Sequence, residues 1–385
     1  MRIAYVTETF PPELNGVALT VERAVRHLRE RGHAVDLVRP RQPGDAAGEE
    51  PSEWLTAGWP IPQYPELRFG FATASALKRR LRQTEPHLVH LATPGPLAWN
   101  ALRAARAMGI AASSDFRTNF HLYSGYYHLG AFESVIFRFL RNFHNRTERT
   151  FVPTRAVHAE LAAAGFRNLS VVGRGVDTER FRPDRRSAEL RARWGAHGDA
   201  PVLLSVGRVA AEKNIGLALR AFDALRRRDP AARMVVVGEG PLRKRLEAQH
   251  PEVHFAGVQR GEMLAACYAS ADIFVFPSLS ETFGNVTLEA LASGLPVVAY
   301  DTAAAGEHVA HRVSGLIVAP GDERAFESAV CSLALRPQRR LAMGEQAVLA
   351  AHQLRWDDVL GRFERHLQDT IDAHQTPSAA VAVVA

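Results

Sequence analysis

Cysteine is scarce in this chain, and a run of apolar residues long enough to cross a bilayer is lacking. The two cysteines, Cys267 and Cys331, each lie in a predicted helix and outside any reactive motif. Such a pair excludes a disulfide scaffold and favours buried thiols in a reducing compartment. The sequence also lacks a basic stripe with interleaved aromatic residues, which argues against a nucleic-acid partner.

The amino-terminal segment is equally short of apolar residues. It reaches Glu8 before it could form the apolar core of a signal peptide. We therefore expect a cytoplasmic protein. An amphipathic helix predicted over residues 130–149 leaves peripheral contact with the inner face of the membrane open, with burial of its apolar face in the core as the alternative. That face carries Phe132, Ile136, Leu140 and Phe143.

Length and charge limit the number of domains and the kind of partner only broadly. With 385 residues, of which 46% are hydrophobic, the chain can form two domains that each bury a core. Its formal net charge of +6 favours an anionic partner, such as a membrane surface or a phosphorylated metabolite.

Strand-like and helix-like periods alternate along the sequence, which predicts an α/β fold with parallel sheets. The pattern restarts once, so we expect two Rossmann-like domains, one over residues 1–180 and one over 198–350. A stretch rich in Arg, Asp, Pro and Gly over 173–198 is typical of a linker, and residues 39–65 of surface loops. A helix over 356–372 is expected to pack back on the first domain, and residues 374–385 to form a disordered tail.

The segment 278–294 combines a strand end, a glycine and two carboxylates. Glu281 lies in the polar loop after an apolar strand, and Glu289 lies in the helix that follows Gly284. The helix start, at Asn285 and Val286, offers backbone N–H groups and partial positive charge to a phosphate. Carboxylates accept hydrogen bonds from hydroxyls. A phosphorylated sugar carries both the phosphate and the hydroxyls that these groups would bind.

Two cations occupy a second loop of this kind. Arg208 and Lys213 follow the strand predicted over 201–206, at the carboxyl end where open α/β sheets bind ligands. Charge-assisted hydrogen bonds from both could bind a diphosphate. The alternative is a solvated loop with a salt bridge to Glu212.

Three glycine-containing turns are weaker signals. Gly16 opens the first helix and would let a ligand approach the backbone. Gly238 could shape the wall beside a nucleotide, and the backbone around Val258 could hold a base. Packing alone would also explain each glycine.

Together these residues resemble a known family. The pair Arg208 and Lys213, the Gly-Glu-Gly-Pro turn at 238–241, the Phe-Ala-Gly-Val strand end at 255–258 and above all residues 277–298 are similar to the retaining glycosyltransferases of family four. The resemblance covers the chain except its tail. The first half, with ETFPPELNGV and RTNFHLYSGYYHLG, looks most like glycolipid α-mannosyltransferases and sulfolipid synthases.

The resemblance implies a GT-B fold, with two Rossmann-like domains facing across a cleft, and a set of roles. Arg208 and Lys213 would bind the donor diphosphate. Glu281 and the backbone of Phe283 and Gly284 would hold the transferred sugar and its phosphate. Two further implied roles are ribose binding by Glu289 and approach of Gly16 to the diphosphate.

One position departs from the pattern. Many relatives have a histidine directly after the aromatic residue of the segment that reads DFRTNFH here, where this chain has Arg117 and, four residues later, His121. Residues four apart on a strand lie roughly 13 Å apart, so Arg117 and His121 cannot both occupy the position of that histidine. We expect Arg117 to fill the position and His121 to lie nearer the acceptor.

The resemblance also implies the reaction. We expect a metal-independent hexosyltransferase without a cofactor, because no Asp-x-Asp motif is present and Arg208 and Lys213 can neutralise the diphosphate. The donor is a nucleotide sugar, with GDP-mannose favoured, and the acceptor a lipid or glycan. The alternatives are a UDP-sugar-dependent glucosyltransferase and a nucleotide-sugar isomerase of the same fold. The sequence leaves the oligomeric state open.

Overall fold

The computed structural model describes residues 1–13, 16–43, 45, 52–61, 64–117, 132–281 and 283–376. The chain divides into two compact units. Unit 1 comprises Met1–Gly173 and Val359–Ala385, and unit 2 comprises Arg174–Asp358. Each unit contains its own mainly parallel sheet, which confirms the predicted α/β class.

Unit 1 has eight strands among its described residues, in the order β4-β3-β2-β1-β5-β6-β7-β8. Their pairing is parallel except between β3 and β4. The strands are β1 (Arg2–Val6), β2 (Ala34–Pro40), β3 (Glu53–Ile61), β4 (Tyr64–Phe71), β5 (Leu88–Leu91), β6 (Ala111–Asp115), β7 (Arg149–Val152) and β8 (Leu169–Val171).

Unit 1 has five described helices, of which three begin where the sequence supplies a cap or a proline. Thr73 and Thr154 each accept a hydrogen bond from the first turn of the helix that follows, and Pro96 takes the first helical position after Gly95. These helices are α1 (Gly16–Glu30), α2 (Ala74–Thr84), α3 (Pro96–Ala107), α4 (Phe132–His144) and α5 (Arg155–Ala163).

The region predicted as surface loops, residues 39–65, instead contains β3 and the start of β4. The two strands pair antiparallel, with Ala57 opposite Phe71 and Trp59 opposite Phe69. Gly70 fits closely, because a Cβ there would lie 2.8 Å from a Leu97 side-chain atom. This packing on α3 explains why glycine and proline here belong to a hairpin and not to a loop.

Helix α4 places its apolar stripe in the core. Leu140 and Phe143 are buried, whereas Val135 and Phe139 are exposed. The predicted stripe also includes Ile136, which is half-buried, and Phe132, whose side chain is not among those described. Burial therefore accounts for the described part of the stripe. No described helix combines the length and hydropathy needed to span a bilayer.

Unit 2 has six described strands, all parallel, in the order β11-β10-β9-β12-β13-β14. They are β9 (Val202–Val206), β10 (Arg233–Val237), β11 (His254–Gly257), β12 (Ile273–Phe276), β13 (Val297–Tyr300) and β14 (Gly315–Val318). The helices are α6 (Ala188–Arg193), α7 (Ile215–Arg226), α8 (Arg243–Gln249), α9 (Gly261–Ser270), α10 (Asn285–Ala292), α11 (Ala303–His308), α12 (Glu323–Ala334) and α13 (Pro337–His352).

The predicted linker, residues 173–198, is an ordered part of unit 2. Phe181 and Trp194 are buried in its core. The buried Arg191 donates to the Asp272 carboxylate at 2.9 Å and to the carbonyls of Ser270 and Ala200. The charge of Arg191 therefore serves buried pairing, which composition alone does not reveal.

The last helix, α14 (Trp356–Gln375), joins unit 1 through its main part. The Glu364 carboxylate lies 2.8 Å from His33 Nε2 and 3.3 Å from His27 Nε2. The helix continues three residues beyond the predicted end at 372, since His374 Nε2 lies 3.0 Å from the Gly109 carbonyl and anchors the last turn. Residues 377–385 of the predicted tail lie outside the described residues.

Candidate active site

The candidate site in unit 2 begins at the loop after β9. Arg208 is 56% exposed, and its Nη1 lies 3.7 Å from Glu212 Oε1. A single turn over Ala211–Lys213 then brings the chain to Asn214, which has φ of +49° and starts α7. The salt bridge considered as an alternative is thus present, but its exposure and length make it weak and easily exchanged.

Lys213 turns toward the neighbouring strand. Its Nζ donates to Glu281 Oε1 at 2.5 Å and to the Ser280 carbonyl at 3.1 Å. Ser278 Oγ donates to the same Glu281 oxygen at 3.0 Å. Because β9 and β12 are adjacent, the loops that follow them bring Lys213 and Glu281 together. The predicted cation and the predicted sugar-binding carboxylate therefore form one pair.

The start of α10 lies directly beyond this pair in the chain. Gly284 has φ of +89° and caps the helix, a conformation that favours glycine. The Phe283 side chain is buried, and its carbonyl accepts from Ala304 N at 2.7 Å. The first turn, which includes Asn285 and Val286, contains no acidic residue. Its backbone N–H groups can therefore donate hydrogen bonds to an anionic ligand.

Glu289, one turn further along α10, is held by Tyr268 of α9. The Tyr268 hydroxyl donates to Glu289 Oε2 at 2.8 Å. Burial and the adjacent carboxylate raise the pKa of Tyr268 well above its usual value, so the phenol remains a donor. Sequence reasoning missed Tyr268, and its only signal there was a polar group inside an apolar helix.

Packing explains the glycine-rich strand ends of unit 2. A Cβ on Gly238 would lie 1.9 Å from the Gly207 carbonyl oxygen, and one on Gly240 would lie 2.3 Å from the Val209 carbonyl oxygen. These glycines allow the ends of β9 and β10 to approach. Val258 follows β11 and is 52% exposed. The predicted roles of Gly238 and Val258 toward a nucleotide stay predictions.

In unit 1 the described site residues lie at the carboxyl ends of β1, β5 and β6. Gly16 is exposed at the first position of α1, and its carbonyl accepts from Thr20 Oγ1 at 2.6 Å. Glu8, just after β1, is buried and accepts from Leu97 N at 3.0 Å, so it caps α3. Burial raises the pKa of Glu8 to about 7.

Arg117 is fixed by a buried carboxylate. Its Nε donates to Asp115 Oδ2 at 2.5 Å, and His90 Nε2 lies 3.1 Å from the same oxygen. His90 Nδ1 lies 2.9 Å from Ser113 Oγ. Burial alone would raise the pKa of Asp115, but Arg117 and His90 hold it below its usual value. His121, the other candidate, lies outside the described residues.

Sequence reasoning also missed Asp115 as the partner of Arg117 and His90 as the second partner of Asp115. The available signal was a charged or titratable residue inside a short apolar strand, LVHL for His90 and the end of β6 for Asp115. Both are buried, and buried ionisable groups are rare unless paired.

A set of metal-ligand types also occurs in unit 2. Ligand atoms of Asp223, His250 and Glu252 lie within 4.8 Å of one another among the described residues. Arg226 Nη1 lies 3.7 Å from Glu252 and competes for that carboxylate. The set contains none of the predicted site residues.

Known protein families and relatives match this chain over most of its length. Residues 14–180 match the family model described as Glycosyltransferase Family 4, and residues 200–335 match the model described as Glycosyl transferases group 1. A GDP-mannose-dependent alpha-mannosyltransferase of Mycobacterium tuberculosis (strain CDC 1551 / Oshkosh) is 33% identical over 377 residues, which cover 94% of this chain and 96% of the relative. The chain belongs to glycosyltransferase family 4.

Further relatives of this family 4 glycosyltransferase include the sulfoquinovosyl transferase SQD2 of Arabidopsis thaliana, 31% identical over 77% of this chain and 59% of the relative. Among solved structures, Anabaena HepE in complex with UDP and glucose is similar with a TM-score of 0.71, at 17% identity, over 96% of this chain and 100% of that one. This likeness confirms the predicted GT-B fold class.

Proposed function

We propose that this glycosyltransferase moves mannose from GDP-mannose to a lipid or glycan acceptor, with retention of the anomeric configuration and without a metal ion. The name of the relative that is 33% identical along 94% of this chain supports the donor. The observation that carries the proposal is the Lys213–Glu281 pair beside the anion-accepting start of α10.

In this proposal the charged groups exchange partners when the donor binds. Lys213 and Arg208 move from their carboxylates to the donor diphosphate, which frees Glu281 to accept hydrogen bonds from hydroxyls of the transferred sugar. Glu289, oriented by Tyr268, accepts from the ribose. Negative charge that develops on the leaving diphosphate is stabilised by fixed cations and backbone N–H groups, the main source of catalysis in such a site.

Retention then follows from a front-face path, in which the leaving diphosphate assists deprotonation of the acceptor hydroxyl. Glu281 serves as a positioning group and not as a nucleophile. Arg117, fixed by Asp115, takes the role of the family histidine in this proposal.

Metal independence rests on the two cations and has its own test. Addition of a chelator such as EDTA should leave the transfer rate unchanged, because Arg208 and Lys213 supply the positive charge that a divalent cation would otherwise supply. A rate that falls with EDTA and returns with Mg²⁺ or Mn²⁺ would contradict this part of the proposal.

A UDP-sugar is the second candidate donor, since HepE, which is similar in fold, binds UDP. Thermal unfolding with GDP-, UDP- and ADP-sugars separates the candidates. A ligand at 100 times its dissociation constant should add about 2.7 kcal/mol to the free energy of unfolding. We expect GDP-mannose to give the largest shift.

Net transfer decides between transferase and isomerase. Purified protein is incubated with labelled GDP-mannose and a membrane-lipid extract, and the product anomer is assigned by NMR. We expect labelled glycolipid with the α configuration. Conversion of the donor to another nucleotide sugar without net transfer would favour the isomerase.

A lipid acceptor would place the protein at the inner face of the membrane. Exposed aromatic residues of the hairpin in unit 1, Trp59, Phe69 and Phe71, support peripheral contact. Binding to vesicles that contain anionic lipid should weaken in Trp59→Ser and persist in Leu341→Ser, a control in unit 2 with a similarly exposed side chain. Equal binding of both variants would contradict contact through the hairpin.

A further inference from the structure

A separate cavity lies on unit 2, beside the edge strand β14 and the helices α12 and α13. Its volume is about 410 Å³, which lies within the range of small-molecule sites. None of the residues assigned above to the donor site lines it. Leu316 of β14 belongs to its apolar wall, and polar groups come from the loop before β14 and from both helices. The cavity therefore has the size and the mixed lining of a ligand site, and the proposed function does not use it.

The loop 309–314 brings two polar side chains, those of His311 and Arg312, to this cavity. Arg312 has φ of +66°, a left-handed conformation that is unfavourable for arginine. A hydrogen bond from Arg312 N to the Gly315 carbonyl, 2.7 Å long, maintains it. Strained residues of this kind cluster at ligand sites. The loop is thus ordered before a ligand arrives, which lowers the entropy cost of binding.

His311 contributes a hydrogen-bond donor. Its Nδ1 accepts from Ile317 N at 3.1 Å, so the neutral ring carries its proton on Nε2. A protonated ring also has a proton there, so Nε2 is a donor in both charge states. Ser328 of α12 adds a hydroxyl to the lining. A ligand with several acceptor oxygens matches these groups.

Positive charge dominates the cavity. Arg312 and Arg339 line it from two different elements, the loop and α13. In the part of the chain that the structure describes, neither guanidinium takes part in an ion pair or a hydrogen bond. Asp322 is the one acidic residue among the described residues of the lining, and it accepts from Ala325 N at 2.9 Å as the cap of α12. Two guanidinium groups without a carboxylate partner at a concave surface attract an anion.

We propose that this cavity is a second anion site of unit 2 and binds a small phosphorylated metabolite such as a sugar phosphate. A phosphate group supplies acceptor oxygens for both arginines and for His311 Nε2, and guanidinium groups match phosphate geometry bidentately. One phosphate group fills only a small part of about 410 Å³, so the cavity has room for the organic part of the ligand. The inference does not depend on the identity of the donor.

The experiment measures dissociation constants of glucose 6-phosphate and glycerol 3-phosphate, and of glucose and glycerol, by isothermal titration of the full chain. We expect the wild type to bind the two phosphates with constants below about 1 mM, and the two neutral compounds far more weakly. Arg312→Gly and Arg339→Gln should each weaken phosphate binding by at least about 10-fold, the scale of one charge-assisted hydrogen bond. Glycine adopts a positive φ without strain, so Arg312→Gly removes the guanidinium and keeps the loop.

Two control variants locate the effect. Arg324→Gln removes an exposed arginine of α12 that does not line the cavity, and Lys213→Ala alters the donor site. Both should leave the constants for the two phosphates unchanged. Equal losses in Arg324→Gln and Arg339→Gln would indicate a response to net charge alone and would overturn the inference. A loss in Lys213→Ala, with both cavity variants unaffected, would assign the phosphates to the donor site and would overturn it as well.

The remaining outcomes also decide. Absence of phosphate binding by the wild type, or an unchanged constant in Arg312→Gly, would overturn the inference. If Arg339→Gln does not fold, as judged by thermal unfolding, Arg312→Gly decides alone. A phosphate in a lipid head group has the same chemistry, so phosphatidylcholine vesicles with and without phosphatidic acid form a second arm. Vesicle binding that requires Arg312, without binding of either soluble phosphate, would overturn the assignment to a soluble ligand.

Discussion

The carboxyl ends of the two sheets differ in how they keep their charged groups. In unit 1, Asp115 and Glu8 are 1% and 7% exposed and are bonded to groups of the same unit. In unit 2, the side chains of Lys213 and Glu281 are each 15% exposed, and Arg208 is more than half exposed. The charges of unit 1 are locked in place, whereas those of unit 2 remain accessible to a ligand.

The difference indicates two uses of the same sheet edge. Buried charges that are paired fix the architecture, because removing one partner leaves the other uncompensated. The exposed Arg208–Glu212 pair costs little to open. The Lys213–Glu281 pair is more accessible than Asp115, so a phosphate can reach it and replace the carboxylate. Substitutions in unit 1 should therefore change stability, and those in unit 2 should change catalysis and donor binding.

The largest effect is expected for Asp115→Ala. It leaves the Arg117 guanidinium without its buried carboxylate, which should lower the free energy of unfolding by about 3 to 5 kcal/mol. Urea denaturation measures the change. Glu22→Ala, which removes an exposed pair with Arg26, should cost less than about 0.5 kcal/mol. A loss below about 1 kcal/mol for Asp115→Ala would remove the contrast between the units.

Glu8 should give unit 1 a distinctive pH dependence. Burial raises its pKa from 4.5 in the unfolded chain to about 7, so the folded state binds more protons between these values. The stabilisation is complete below pH 4.5 and is lost as the pH rises through 7. The free energy of unfolding should fall by about 3 kcal/mol across this range relative to Glu8→Gln.

Unfolding of wild type and Glu8→Gln at pH 4.5, 6, 7 and 8 measures this difference, in which the titration of other groups cancels. A difference that stays constant with pH, or grows in the opposite direction, would show that the Glu8 carboxyl titrates normally.

Lys213→Ala should impair catalysis more than stability. Loss of one preorganised cation at the leaving diphosphate should reduce turnover by about 100-fold or more, equivalent to about 2.7 kcal/mol. Initial rates of transfer from the preferred donor measure it. Lys244→Ala, an exposed lysine of α8, is the control and should keep the wild-type rate. Similar rates for the two variants would contradict the assigned role.

The smallest effect is expected for Tyr268→Phe. It removes the hydroxyl that orients Glu289 and should raise the KM for the donor by about 10-fold while kcat stays near its wild-type value. Tyr300→Phe, another buried tyrosine of unit 2, should leave both constants unchanged. An unaltered KM in Tyr268→Phe would argue against ribose binding by Glu289.

Much of the fold could be predicted, because local sequence determines it. The apolar strand β9 and the helix from Gly16 have clear periods and boundary residues, and both form close to the predicted limits. The β3–β4 hairpin could not, because its glycines and prolines indicate a loop until packing against Leu97 is known. The pairing of Arg191 with Asp272 could not be predicted either, because the two residues are 81 positions apart in the sequence.

Some residues of the candidate site could also be predicted from the sequence, and others could not. Glu281 and Glu289 could be placed on a loop and a helix, since Gly284 and the preceding strand define both elements. The Lys213–Glu281 pair could be predicted only if β9 and β12 were known to be neighbours. Strand order determines that, and local sequence does not reveal it. Tyr268 and Asp115 act through partners distant in sequence, so only the folded chain reveals them.

Titration of GDP-mannose into wild type and into the double variant Arg208→Gln, Lys213→Gln tests the exchange of partners in unit 2 most directly. We expect the wild type to bind the donor and the double variant, still folded by thermal unfolding, to bind it at least 100-fold more weakly. Equal affinity of the two proteins would contradict it.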